Sequence, residues 1–403
     1  MIEVLRNRNY ATLFSAQVIA LVGTGLLTVA LGLLAFDIAG GDAGVVLGTA
    51  LTIKMVAYVV VSPLMAAVAA RVPRKLLLVS SDVIRGGVAL MLPFVTDTWQ
   101  IYLLIFVLQA ASATFTPAFQ AVIPQVLPDE RQFTSALSLS RLAYDLESLL
   151  SPMLAAALLT VLPYNDLFLG TVVGFAGSAV LVLLTRFPHS SASAPPPFFE
   201  RLTGGLRVFL RTPPLRGLLA LNVVVAAGQA MIIVNTVVLV QAGLGRSQSD
   251  VAWLLAASGV GSLTVAVLVP RLLERWTDRA LMLTGAVAVV VALLLTSGVI
   301  ALAAQPFAWP ALFVVWAIAG AAASLILTPS ARLLRRASDD TNRPAVFAAQ
   351  FSLSHVCFMI TYPIAGVLGA ALGLWSVALV LAVIGAGGAA AAVVGWKKTA
   401  VAD

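Results

Sequence analysis

The sequence predicts an all-α integral membrane protein of twelve transmembrane helices, arranged as two pseudo-symmetric six-helix bundles. Three observations carry that expectation. The 403-residue chain is 61% hydrophobic and only 10% charged, where soluble chains carry about 25% charged residues; its mean hydropathy is +1.03. Its apolar runs reach the roughly 20 residues that a helix needs to cross a bilayer core, without the alternation of a membrane barrel. Its Lys and Arg residues crowd into alternate loops.

Cut at polar or Pro/Gly punctuation, the runs fall at 10–36, 44–70, 75–96, 99–127, 134–162, 167–187, 215–243, 250–270, 280–304, 309–333, 345–372 and 375–396. The opening "MIEVLRNRNY" leads into a run too long for a signal peptide, so the first span is expected to be retained. With the N-terminus inside, 20 of the 24 Lys and Arg residues lie in inner segments. Lys54, Arg85 and Arg141 fall within spans, and only Arg246 falls in an outer loop. The positive-inside bias therefore predicts cytoplasmic N- and C-termini and a place in the plasma (inner) membrane. The net charge of +7 reads as this bias and not as an affinity for nucleic acid.

The longest interruption, "PHSSASAPPPFFERLTGGLRVFLRTPP", spans 188–214. Its first part is a Ser/Ala/Pro linker. Its second part mixes Phe198, Phe199, Leu202, Leu206 and Phe209 with Arg201, Arg207 and Arg211, a pattern for a short helix in the inner interface. The chain thus divides into an N-terminal bundle (1–187), a cytoplasmic linker (188–214) and a C-terminal bundle (215–403).

The halves resemble each other. "FTPAFQAVIPQVLPDER" (115–131) matches "LTPSARLLRRASDDTNR" (327–343), and "LSLSR" (137–141) matches "FSLSH" (351–355). Two six-span repeats are a transporter architecture, with binding near the midplane between them. With the repeat, the "RNRNYATLFSAQVIALVG" opening, the Asp82/Arg85 pair and "FFERLTGGLRVFLRTPPLRGLL" after the linker, the chain resembles the major facilitator superfamily. Within it the resemblance is to the branch of proton-coupled exporters similar to the enterobactin and macrolide efflux proteins.

The superfamily's loop between spans 2 and 3 reads Gly-x-x-x-Asp-Arg-x-Gly-Arg-Arg/Lys. Here Arg71, Arg74 and Lys75 keep the cations, while Ala66, Ala70 and Pro73 replace the first Gly, the Asp and the second Gly. A charge latch built on that Asp must differ here. In the second half Glu274 precedes Arg275, so an acid–cation pair is expected there. Asp82 and Arg85 are expected as a structural or gating pair near the inner face.

The stretch "RLAYDLESLLSP" puts three charges inside span 5, where each costs several kcal/mol in lipid. At about 100° per residue, Ser140, Arg141, Tyr144, Asp145, Glu147, Ser148, Ser151 and Pro152 share one arc; Leu139, Leu142, Ala143, Leu146, Leu149, Leu150 and Met153 take the other side. Arg141 and Asp145 are an i,i+4 pair, serving packing or function. A nearby cation keeps a carboxylate ionised, so Glu147 is the first candidate for proton coupling and Asp145 the second. His355, deep in span 11, is the third, against a plain packing role. Arg141 and Lys54 would serve as counter-charges or substrate contacts. By the resemblance, spans 4 and 7 line the cavity: Gln109, Ser112, Thr116 and Gln120 on one, Asn222, Gln229 and Thr236 on the other. Both faces serve equally as interhelical hydrogen-bonding glue.

The expectation is a secondary active transporter, a monomer exporting small amphiphilic organic compounds such as drugs or siderophores against protons. Uptake of a polar metabolite, such as a sugar or organic anion, is the alternative within transport; a non-transporting sensor is remote, with no room for a soluble domain. An enzyme is not expected: there is no HExxH, GxSxG, P-loop or Cys cluster. One cysteine and two histidines leave no basis for a disulfide or a His-rich metal site, and no cofactor is expected.

Overall fold

The computed structural model describes residues 2–61, 72–127, 129–186, 206–338 and 343–397. Its long helices in chain order are α1 (Arg8–Ala39), α2 (Ala43–Val56), α3 (Arg74–Met91), α4 (Thr98–Val126), α5 (Glu130–Leu158) and α6 (Asn165–Leu184). There follow α7 (Pro213–Val237), α8 (Gln248–Leu272), α9 (Asp278–Ala301), α10 (Ala308–Arg336), α11 (Arg343–Pro363) and α12 (Leu374–Lys397). Helices 2, 7 and 11 run on into π-helical turns at Ala57–Val61, Val238–Gly243 and Ile364–Leu368.

Polar residues at the helix starts take up N–H groups that would otherwise go unsatisfied. Asp129 accepts from the backbone N–H of Gln132 at 2.9 Å before α5, and Thr277 from that of Ala280 at 3.1 Å before α9. Asp97 with Gln100, and Ser247 with Asp250, form capping boxes on α4 and α8. Among the described residues, ten segments are long and apolar enough to cross a membrane. The first, Arg8–Val61, contains both α1 and α2; α5, which carries the interior charges, is outside the ten.

The helices cluster into two compact units. One comprises Met1–Ile38 with Val56–Pro196, the other Ala39–Met55 with Pro197–Asp403. Most of α2 therefore groups with α7–α12, although it is the second span of the first repeat. Span 2 was expected as one helix over 44–70; the regular α-helix stops at Val56, and 62–70 lie outside the described residues. Of the interfacial helix, 206–211 are described and helical, with Phe209 buried and Arg207, Leu210 and Arg211 exposed.

In the first unit α3 packs on α4 and α6. A core of Tyr10, Leu13, Leu78, Phe115, Phe119, Ile123, Ala136 and Val182 joins α1 to α3–α6. Lipid supplies no water, so polar groups inside the unit must pair with each other. The Tyr10 hydroxyl donates to the Ala136 carbonyl at 3.1 Å, and the Ser140 hydroxyl to Gln17 Oε1 at 2.9 Å. Both bonds tie α1 to α5. In the second unit α7 packs on α11 and α12, and α10 on α8 and α9.

Candidate functional site

Glu147 sits on α5 about 16 Å from that helix's end at Leu158, counting 1.5 Å per residue. It is half-buried. Its Oε1 lies against α1, 3.0 Å from where a β-carbon on Gly25 would stand, and Ser151 occupies the same notch. Tyr58, in the π turn after α2, lies within electrostatic reach of Glu147, Tyr144 and Arg85. Leu139 and Ala143, which the helical wheel puts opposite the charges, are buried as well, while Leu150 and Leu154 are exposed. Among the described residues, the buried side chains of α5 are Ala136, Leu139, Ser140, Ala143, Ser151, Ala155 and Ala156. Arg141 and Asp145 lie on α5, but their side chains are outside the described residues.

Asp82 and Arg85 are one turn apart on α3 and form an ion pair. Asp82 lies about 12 Å from the start of α3. Both side chains are almost fully covered, Asp82 at 1% exposure and Arg85 at 5%. The pair is covered by protein on the side of α6, where Ser178 donates to Asp82 Oδ2 at 2.7 Å. The Arg85 guanidinium lies 4.3 Å from the Phe115 ring centre on α4 and 4.5 Å from that of Phe175 on α6. Aromatic faces attract a desolvated cation, which offsets part of the penalty of burying it. Among the described residues, Arg85 Nε has no hydrogen-bond partner.

In the second unit His355, half-buried on α11, donates from Nδ1 to the Phe351 carbonyl at 2.6 Å. A carbonyl only accepts, so that bond fixes the proton on Nδ1. Lys54, half-buried on α2, is within electrostatic reach of the ring. Asn222 of α7 and Gln350 of α11 exchange two amide hydrogen bonds, each 3.1 Å. Thr236 is buried at 1% exposure and accepts from Trp316 Nε1 of α10 at 3.0 Å. Gln229 is half-buried. On α4, Gln109 is buried and Ser112 donates back to the Leu108 carbonyl at 3.0 Å; the side chains of Thr116 and Gln120 are outside the described residues.

The loop cations divide. Lys75 Nζ donates to the Thr185 carbonyl at 3.2 Å, satisfying the C-terminal end of α6. Arg74 is half-buried, and Arg71 lies outside the described residues. The acid–cation pair of the second half is not where it was expected. Glu274 and Arg275 are both exposed and enter no ion pair among the described residues. The acid that pairs is Asp278 at the start of α9: its Oδ2 meets Arg336 Nη1 at 2.7 Å and Arg332 Nε at 3.5 Å. Asp278 is covered where Glu274 is exposed, and Arg332 and Arg336 stand one turn apart on α10, facing it. The Thr-Asp start signal at 277–278 and the i,i+4 arginines were the available clues. Nothing in the sequence pointed to Gly25, Ser178 or Gln350, since each partners a residue more than 90 positions away.

A chain of apolar helices of spanning length, with ion pairs and amide pairs held inside them, has the make-up of a multi-pass membrane protein. The chain belongs to the major facilitator superfamily, whose model matches residues 13–245 and 218–401. It has that family's twelve-helix fold. It is 25% identical to macrolide efflux protein A of Streptococcus pyogenes over 218 residues, covering 52% of this chain and 53% of that protein. It is 26% identical to macrolide efflux protein A of Enterococcus faecalis over 186 residues, 43% of this chain and 57% of that one. The chain thus spans about half the length of the curated relatives it matches. In fold it is similar to the nucleoside transporter NupG, with a TM-score of 0.71 at 14% identity over 96% of this chain and 99% of that one. It is also similar to a bacterial homolog of the human lysosomal transporter Spinster, with a TM-score of 0.74 at 14% identity over 97% of both chains.

Proposed function

We propose that the chain is a proton-coupled exporter of small amphiphilic organic compounds, drugs or siderophores, working by alternating access, with Glu147 as the residue that takes up and releases the proton. The observation that supports it most is the placement of Glu147. An ionisable carboxylate inside a spanning helix is expensive to maintain and by default marks function. This one is half-buried, held against α1 at Gly25 and neighboured by Tyr58. The names of the partial relatives favour an amphiphilic cargo. Asp145 and Arg141 on the same helix act as the neighbouring acid and counter-charge; His355 with Lys54 forms a second ionisable centre. Two six-helix bundles, 1–187 and 215–403, joined by 188–214, carry the cycle in the plasma membrane with both termini cytoplasmic.

The test is transport in everted vesicles with an imposed proton gradient and a radiolabelled macrolide and siderophore as probes. Wild type accumulates at least one probe. Glu147→Gln loses proton-driven accumulation by the about 5–150-fold typical of energetic coupling between sites. No gradient-driven flux of any probe in wild type, or full activity in Glu147→Gln, would overturn the reading.

A further inference from the structure

We propose that Asn235 sets the balance of a closable seam between α2 and the ends of α7 and α11: its side-chain oxygen goes without a hydrogen bond while the seam is shut and gains water when it opens. The proposal rests on the reading that the chain works by alternating access, and on neither the proton nor the cargo. In the proposed orientation the seam lies at the outer end, where α1 turns into α2. The seam is backbone against backbone. A β-carbon on Gly366, in the π turn after α11, would overlap the Gly44 carbonyl of α2, and one on Gly48 would stand 2.7 Å from the Tyr362 carbonyl. Small residues let helices approach this closely, and such a contact parts without side chains having to disengage.

Asn235 stands near the end of α7, beside the π turns of α7 and α11. Single π turns of this kind occur often at functional sites. The residue is buried at 1% exposure. Its Nδ2 donates to the Ala365 carbonyl at 3.2 Å. Its Oδ1 faces the seam, 3.2 Å from where a β-carbon on Gly44 would stand and 3.0 Å from one on Gly369. No N–H or O–H group among the described residues bonds to this oxygen, and glycine C–H groups offer only a weak substitute. A buried acceptor left bare is rare and calls for an explanation. The two ends of the carboxamide weigh differently. The Ala365 carbonyl already accepts from the backbone N–H of Gly369, so losing the Asn235 bond would strand nothing. The bare Oδ1 carries the full cost of a missed bond. When α2 parts from α7 and α11, water reaches Oδ1 and that cost disappears. Asn235 therefore favours the open seam and the glycine contact the shut one, which keeps both states within reach of a small bias.

Cysteine labelling of the full-length chain in right-side-out and inverted vesicles tests this with no cargo and no gradient. The reporter is Val238→Cys in a Cys357→Ala background. Val238 is buried, 3.7 Å from where a β-carbon on Gly44 would stand, so a membrane-impermeant maleimide reaches it only through an open seam. Asn235→Leu keeps the branching of the side chain and removes the acceptor. It is expected to slow labelling by about 5-fold or more, the factor that one missed buried hydrogen bond corresponds to. Asn235→Val serves where leucine does not fit. Gly366→Ala props the seam and speeds labelling by a similar factor; Gly48→Ala takes its place if that variant does not fold. A change that merely loosened the fold would speed labelling, so the slowing in Asn235→Leu is the diagnostic result. Equal or faster labelling in Asn235→Leu overturns the proposal. So does a glycine variant that folds and labels no faster, or a reporter reached from neither face. Labelling that shifts as expected in a wild type without proton-driven flux leaves the seam standing and overturns the exporter reading; flux without the shifts does the reverse.

Discussion

The Glu147 carboxylate lies against Gly25 of α1, 3.0 Å from where a β-carbon there would stand, and Ser151 is closer still to the same point. Having no side chain, Gly25 lets α5 bring an acid and a hydroxyl onto the α1 backbone. Gly25→Ala overpacks this contact. It is expected to lower stability by about 1–3 kcal/mol, read as a lower melting temperature in detergent, and to depress proton-driven transport. Ser151→Gly should restore much of both, because the two sites are in contact and their effects are not additive.

The pairing of Asp278 with Arg332 and Arg336 separates it from Glu274. Asp278→Asn loses charge-assisted hydrogen bonds at a covered acid and is expected to lower stability by about 1–3 kcal/mol. The exposed Glu274→Gln stays within about 0.5 kcal/mol of wild type. Thermal melts of the two variants side by side check this; equal effects would return the pair to Glu274.

Thr236 holds the indole N–H of the buried Trp316. Thr236→Val keeps the shape but strands that donor, at about 1–3 kcal/mol. Trp316→Phe removes the donor itself, so adding Thr236→Val to it costs little more. A melting-temperature cycle over the four proteins measures the coupling, and additivity would free Thr236 for a direct role in the cavity.

Between α5 and α6 the Tyr164 hydroxyl donates to Asp37 Oδ2 at 2.8 Å. Burial first, then the hydrogen bond and the charge of Asp37, hold its phenol well above the usual tyrosine range. A raised value means that the folded protein keeps this proton longer than the unfolded chain. The bond therefore contributes fully below the ordinary tyrosine value, about pH 10, and its contribution falls as pH rises beyond it. Tyr164→Phe is expected to melt lower than wild type at neutral pH, with the gap narrowing in alkali; a gap that widens would sink the idea.

Much of the architecture was legible in the sequence because lipid imposes a simple rule. A backbone without water must form helices long enough to cross, so hydropathy and the Lys/Arg distribution mark the spans. The charges of span 5 were legible for the same reason: Arg141, Asp145 and Glu147 stand out in an apolar run. The role of Thr236 was not, because a threonine on a helix face reads alike whether its partner is a cargo or Trp316. The acid of the second-half ion pair was misread by four positions, Glu274 for Asp278, since sequence spacing lists the acids near a helix start but not which one is covered.

By itself, then, the sequence determined most of the spans and the residues too polar for lipid, which depend on local composition and on a one-dimensional count of length. Tertiary structure alone decided the partners. Arg85 between Phe115 and Phe175, Ser178 on Asp82, Gln350 on Asn222 and Gly25 beneath Glu147 join residues distant in the chain. The free energy of a buried charge depends on those neighbours rather than on its own helix.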